Sequence, residues 1–143
     1  MPRAQRSVRI ARPVEEVFAF FTDPANETRW RGSQVKEVTA TGPVAVGTRI
    51  HQVVAGPMGR GIDADIEVTD LEPNASYAFR GVAGPVRPEG EYRFHPEGAE
   101  TEVTFTLDAP LSGIKKLLMQ SNVQKAMEAE MGALDTAKAL LET

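Results

Sequence analysis

Cysteine is absent from the 143-residue sequence, which excludes a disulfide framework, a thiolate metal site and a thiol nucleophile. Aromatic residues are scarce, at 6% with a single Trp, and histidine occurs only twice. No stretch of about 18 apolar residues is present, so no segment has the length of a membrane-crossing helix. The charged opening Met1-Pro2-Arg3-Ala4-Gln5-Arg6 leads into no apolar core of the signal-peptide type, and the expected location is the cytoplasm. In that compartment the glycosylation-type triplets Asn26-Glu27-Thr28 and Asn74-Ala75-Ser76 read as chance matches. A positive excess is missing as well: 16 Lys and Arg face 20 Asp and Glu, a formal net charge of −4. Without a basic field, nucleic acid is not an expected partner.

What the chain does have is turn chemistry and clear patterning. Twelve Gly and ten Pro are scattered in ones and twos, and the length suits one domain over residues 1–143 that buries about 68–70% of its unfolded surface. Val8 and Ile10 alternate with Ser7 and Arg9, which predicts a strand over residues 4–11. Pro13 suits the first position of a short helix, with Glu15 and Glu16 in its first turn and Val14, Val17, Phe18 and Phe21 as its apolar stripe. That helix should stop before Asp23-Pro24, because a residue preceding Pro avoids the α region. A second helical turn is expected near residues 25–30.

From residue 34 to residue 108 the period changes to two. Segments 35–38, 48–55, 62–69, 77–82, 91–95 and 102–107 read as strands. Gly42-Pro43, the Gly-rich 56–61, Pro73-Asn74 and Gly84-Pro85 are the turns between them. Short turns imply antiparallel neighbours, with one apolar and one wet face. After Pro110 the period is helical to the end: Ile114, Leu117, Leu118, Met127, Met131, Leu134 and Leu141 recur at steps of three and four, with Ser112 as a candidate cap. A helix of that length spans about 46 Å at ~1.5 Å per residue. The class is α+β: seven antiparallel strands, two short helices after the first and one long C-terminal helix. One helix about 10 Å wide cannot cover seven strands about 4.8 Å apart. The sheet must curl around it, and curling encloses space beside the helix.

Ordered motifs along the chain resemble a known family. The opening Val8-Arg9-Ile10-Ala11-Arg12-Pro13-Val14-Glu15-Glu16-Val17-Phe18, then Asp23-Pro24 and Trp30, is similar to the start of START-like (SRPBCC) proteins. Val46-Gly47-Thr48, Asp70-Leu71-Glu72-Pro73, Gly90-Glu91-Tyr92-Arg93-Phe94, Thr101-Glu102-Val103-Thr104-Phe105 and the ending 137–142 follow in the same order. The branch it resembles most is the polyketide cyclase/dehydrase and lipid-transport group. That resemblance implies a helix-grip fold and a hydrophobic-ligand cavity, used alike by carriers, cyclases and sensors.

The leading expectation is a binding protein for a small hydrophobic ligand: a lipid, a polyketide or another apolar metabolite. Ile50, Ile66, Phe79, Tyr92, Phe94 and Phe105 would line the site from the strands. Trp30 would join from the short helices, and Met127 and Met131 from the long helix, where adaptable thioethers suit varied apolar shapes. The enzymatic alternative is a cyclase or dehydratase. Tyr92, Gln52, Arg80, His51 and His95 are its candidates to polarise a carbonyl or move a proton, provided the register points them inward. A third reading is an interaction module without ligand.

No cofactor is expected, since the Gly-rich 56–61 fits neither the dinucleotide fingerprint nor the P-loop. No metal is expected either, because neither histidine has ligand spacing. Asp63, Asp65 and Glu67 read as the solvated side of their strand, with Arg80 and Arg93 available to pair across the sheet. Arg3, Arg6, Arg9 and Arg12 read as charged protection of strand flanks. A homodimer through an edge strand is left open.

Overall fold

The computed structural model describes residues 2–32, 35–40, 44–55, 60–84, 86–111 and 113–143, with the side chains of 114–117 excepted. The expected cap Ser112, the turn at Gly42-Pro43, positions 56–59 and Pro85 lie outside the described residues.

The chain begins with β1 (Arg3–Ile10) and α1 (Val14–Thr22). Pro13 precedes α1 as its cap, at φ −63° and ψ 152°, rather than occupying the first helical position. Val17 and Phe21, one turn apart, are the buried residues of α1. Asp23 is extended, as the following Pro24 requires, and its carboxylate accepts the Ala25 N–H at 3.0 Å. A 3-10 turn (Pro24–Asn26) then leads into the single turn of α2 (Glu27–Trp30).

Strands β2 (Val35–Ala40), β3 (Arg49–Ala55), β4 (Gly61–Asp63), β5 (Ile66–Glu72), β6 (Ser76–Gly81), β7 (Glu89–Glu97) and β8 (Glu100–Asp108) follow, and α3 (Gly113–Leu141) completes the chain. The sheet is antiparallel in the order β1-β8-β7-β6-β5-β3-β2, with the three-residue β4 beside β3. Residues 62–69, expected as one strand, are interrupted at Ala64 and Asp65. The register nevertheless passes straight through, with Val53 opposite Asp63 and Ile50 opposite Ile66, and the Ala64 N–H still reaches the Gln52 carbonyl at 2.9 Å. Seven strands therefore run across the sheet, one of them broken. Asn74 supplies the left-handed residue (φ 60°) of the β5–β6 turn, a conformation its short polar side chain tolerates.

Alternation separates two faces. On β8, Val103, Phe105 and Leu107 are buried between half-exposed Glu102, Thr104 and Thr106. The second half of α3 buries Met127, Met131, Leu134 and Ala137 at three- and four-residue steps, the stripe that periodicity predicts. Its main chain lies against β1 and α2, while α1 lies on β7 and β8.

Polar groups strap α3 to β1. The Gln124 amide accepts from Arg3 N and donates to Arg3 O. Arg6 forks onto Asp135 at 2.7 and 3.0 Å. Lys138 donates to Arg9 O, and the Ala11 N–H donates to Glu142. The other N-terminal arginines are also paired: Arg3 with Asp108, Arg9 with Glu97, Arg12 with Glu16.

Candidate functional site

Aromatic side chains from α1, α2 and three strands meet on the concave face. Tyr92 and Phe105 stack with centroids 4.1 Å apart and planes 3° from parallel, and Tyr77 stacks on Tyr92 at 5.7 Å. Phe79 reaches Tyr77, Tyr92 and Phe105. Phe94 is bracketed by Phe18 and Phe21. Trp30 stands edge-on to Phe21 at 5.1 Å and to Tyr92 at 6.4 Å. The strand parity that buries Tyr92 and Phe94 is why a sequence with few aromatics can concentrate them here.

Trp30 is 2% exposed, so the only Trp anchors the interior. Its indole Nε1–H, fully enclosed, has no acceptor among the described residues. Leaving such a donor unmet costs about 1–3 kcal/mol.

Beside this aromatic floor is a buried ionic cluster. Arg31, just past α2, forks onto Glu130 of α3 through Nε (2.8 Å) and Nη2 (2.9 Å). Its Nη1 donates to Glu27 Oε2 at 3.0 Å and to Gln52 Oε1 of β3 at 3.2 Å. Glu27 is only 7% exposed, and the side chains of Arg31 and Glu130 retain 12% and 15% of their surface. Two carboxylates thus share one guanidinium in a poorly solvated place.

Burial pushes the Glu27 carboxyl above its ordinary range; Arg31 opposes that shift and Glu130 reinforces it. Burial also works against the charge on Arg31, but Glu130 and Glu27 outweigh it and hold the guanidinium firmly ionised. Tyr77 and Tyr92 are both raised, by burial first and by the nearby Glu27 charge second. The cluster can therefore bind a proton at Glu27 while Arg31 stays cationic.

The nine expected ligand contacts fall in one interior cluster. Trp30, Ile50, Ile66, Tyr92, Phe94, Phe105, Met127 and Met131 are buried, and half-buried Phe79 packs against them. The five polar candidates separate. Tyr92 and Gln52 point inward, whereas His51, Arg80 and His95 are exposed on the outer face. The reason is parity: each of the three sits one residue from an inward position, next to Ile50, Phe79 and Phe94. His51 bonds Asp65 across the sheet at 2.6 Å, and Arg80 meets Glu67 at 3.5 Å. His51, Arg80 and His95 therefore lie on the face away from the aromatic cluster. Arg93, expected to pair across the sheet, turns instead to Glu91 on its own strand.

Sequence reasoning missed Glu27 and Glu130 and did not assign Arg31 its role. A signal existed. Glu27 and Arg31 are four apart around the only Trp, and Glu130 falls on the apolar stripe of α3 between Met127 and Leu134. A charge at a core position needs a partner.

The outer face carries an open groove of about 590 Å³ over β1, β8, β7 and β6. Its charges largely neutralise one another, Arg3 with Asp108 and Arg93 with Glu91. Among the described residues no three His, Asp or Glu side chains converge as a metal site, and no helix is long and apolar enough to cross a membrane.

A curved antiparallel sheet gripping one long C-terminal helix, with two short helices after the first strand, defines a START-like, helix-grip protein. The chain belongs to the polyketide cyclase / dehydrase and lipid transport family, which it matches over residues 1–138. Among solved structures it is similar to a protein of Thermus thermophilus, with 25% identity and a TM-score of 0.80 over 96% of this chain and 95% of that one. It is similar in fold to a START superfamily protein from Mycobacterium smegmatis (16% identity, TM-score 0.77, 98% and 97% covered). A third likeness is to the Zhui aromatase/cyclase from Streptomyces sp. R1128 (16% identity, TM-score 0.73, 96% and 93% covered). No curated protein matches the sequence. The expected family and fold are borne out, and both are compatible with binding hydrophobic ligands or with cyclase-type activity.

Proposed function

We propose that this protein holds a small apolar molecule between the concave face of the sheet and α3, as a carrier or sensor. The observation that carries the reading is the aromatic floor over β6, β7 and β8, set against a helix whose main chain closes onto β1 and α2. Apolar surface of that kind suits a lipid, a polyketide or a similar metabolite, and the buried cluster offers one polar point for orientation. Native mass spectrometry of protein purified from its own host tests it. A retained apolar molecule is expected, together with saturable binding of the neutral dye Nile red. A bare chain that leaves Nile red unbound would overturn the reading.

A cyclase or dehydratase is the second reading, favoured by Glu27, Arg31 and Gln52 beside Tyr92. A buried carboxyl with a raised pKa suits general acid–base work on an enolisable ketone. The same spectra separate the two readings, because an enzyme passes a dehydrated product on whereas a carrier keeps its ligand unchanged.

A further inference from the structure

The ionic cluster is short of one positive charge, and the shortfall defines the polar end of a ligand, an inference that rests on the binding reading above. Glu27 and Glu130 share the guanidinium of Arg31, so one negative charge has no counter-ion within the cluster. The three side chains keep between 10% and 15% of their surface, so the cluster is not sealed. The two Glu27 oxygens differ. Oε2 accepts from Arg31 at 3.0 Å, whereas Oε1 has no donor among the described residues and is not enclosed. A poorly solvated carboxylate answers such a shortfall by taking up a proton or by pairing with a cation. The raised Glu27 carboxyl is the first answer; an ammonium group would be the second.

The surroundings suit an N–H donor. Tyr77 and Tyr92 stand opposite each other on β6 and β7, stacked at 5.7 Å and buried. Both feel the charges of Glu27 and Arg31, which puts them beside the cluster. Among the described residues neither hydroxyl has a hydrogen-bond partner, and neither is enclosed, so both oxygens are open to a donor. A carboxylate would find the one Nη2 hydrogen that the four Arg31 bonds leave over, and would face both glutamates.

We propose that the interior takes an apolar amine, its ammonium hydrogen-bonded to Glu27 Oε1 beside the Tyr77 and Tyr92 hydroxyls and its hydrocarbon body on the aromatic floor. Arg31 is tied to Oε2, to Glu130 and to Gln52, so it fixes Glu27 with one oxygen left free. Glu130 offsets the repulsion between the guanidinium and the incoming ammonium. Proton and amine compete for the same carboxylate, so amine binding weakens as Glu27 takes its proton.

The experiment is displacement of Nile red by octylamine, octanol and octanoate, each below the concentration at which it forms micelles. At neutral pH octylamine should displace the dye at concentrations roughly tenfold or more below those of octanol and octanoate. Glu27→Gln should cut the advantage over octanol to about threefold or less, which general attraction to a chain of net charge −4 would not do. In the wild type the same advantage should shrink as pH falls from neutrality toward 4.5, with octanol unchanged, a readout that needs no substitution. Octanol displacing the dye as well as octylamine, an advantage unaltered in Glu27→Gln, or one constant across that pH range would each overturn the amine site. Failure of Nile red itself to bind would instead remove the apolar interior on which it rests.

Discussion

Glu27 shows how burial turns one side chain into a pH-dependent element of stability. Its carboxyl is raised from the ordinary 4.5, by burial chiefly, so the folded protein keeps a proton that the unfolded chain gives up. Between those two values the native state binds more protons, and stability contributed by Glu27 falls as pH rises. Glu27→Gln removes that titration while leaving an oxygen for Arg31. In urea titrations, the stability of the wild type relative to Glu27→Gln should decline as pH rises from 4.5 and level off once the folded carboxyl has ionised. A relative stability that grew with pH would mean that Arg31 outweighs burial. Glu142 works in the opposite sense: its carboxyl is lowered by the Lys138 and Ala11 bonds, and its contribution is lost on acidification. At this scale the sequence is only partly informative. Inward hydrophobics such as Ile50 and Phe105 follow from parity. The ionic cluster does not, because Glu27, Gln52 and Glu130 are brought together from three elements by tertiary packing alone.

Among the elements, the β6–β7 pair depends on what is missing from a side chain. Gly90 lies opposite Phe79, and a Cβ there would come within 2.3 Å of the Phe79 ring tip. The glycine thus lets the ring lie flat over the neighbouring strand and reach Tyr92 and Phe105. Gly90→Ala should displace that ring and cost about 1–3 kcal/mol, in the range of overpacked cores, measured as a lowered denaturation midpoint. The cost should largely vanish in a Phe79→Ala background, since the clash needs both partners. An undiminished penalty in the double mutant would place the strain in the backbone instead. Strand positions were legible to within a few residues because alternation is a local signal. The interruption at Ala64 and Asp65 was not, because the alternation of side chains continues through it and only the hydrogen bonding changes. Outward-facing His51, Arg80 and His95 depend on the same parity, which carries no tolerance for a single-residue slip.

Across the whole molecule, α3 is held unevenly. From residue 124 onward it is strapped to β1 by Gln124, Asp135 and Lys138, to Ala11 by the following Glu142 and to Arg31 by Glu130, and its buried residues, among those described, lie in this half. Before residue 123 the described side chains are exposed or half-exposed, with Leu118 at 74%. Periodicity put Leu118 on the same apolar stripe as Met127 and Met131, since a Leu at helical spacing reads the same whether or not a sheet lies beneath it. Local opening free energy follows burial and tertiary bonding. Amide hydrogen exchange of the intact protein should therefore show residues 118–122 exchanging at least about tenfold sooner than residues 127–141, through local opening rather than global unfolding. Added urea should speed the second segment far more than the first, because only the second requires the core to open. Equal protection along α3 would show that the helix opens as one unit with the core.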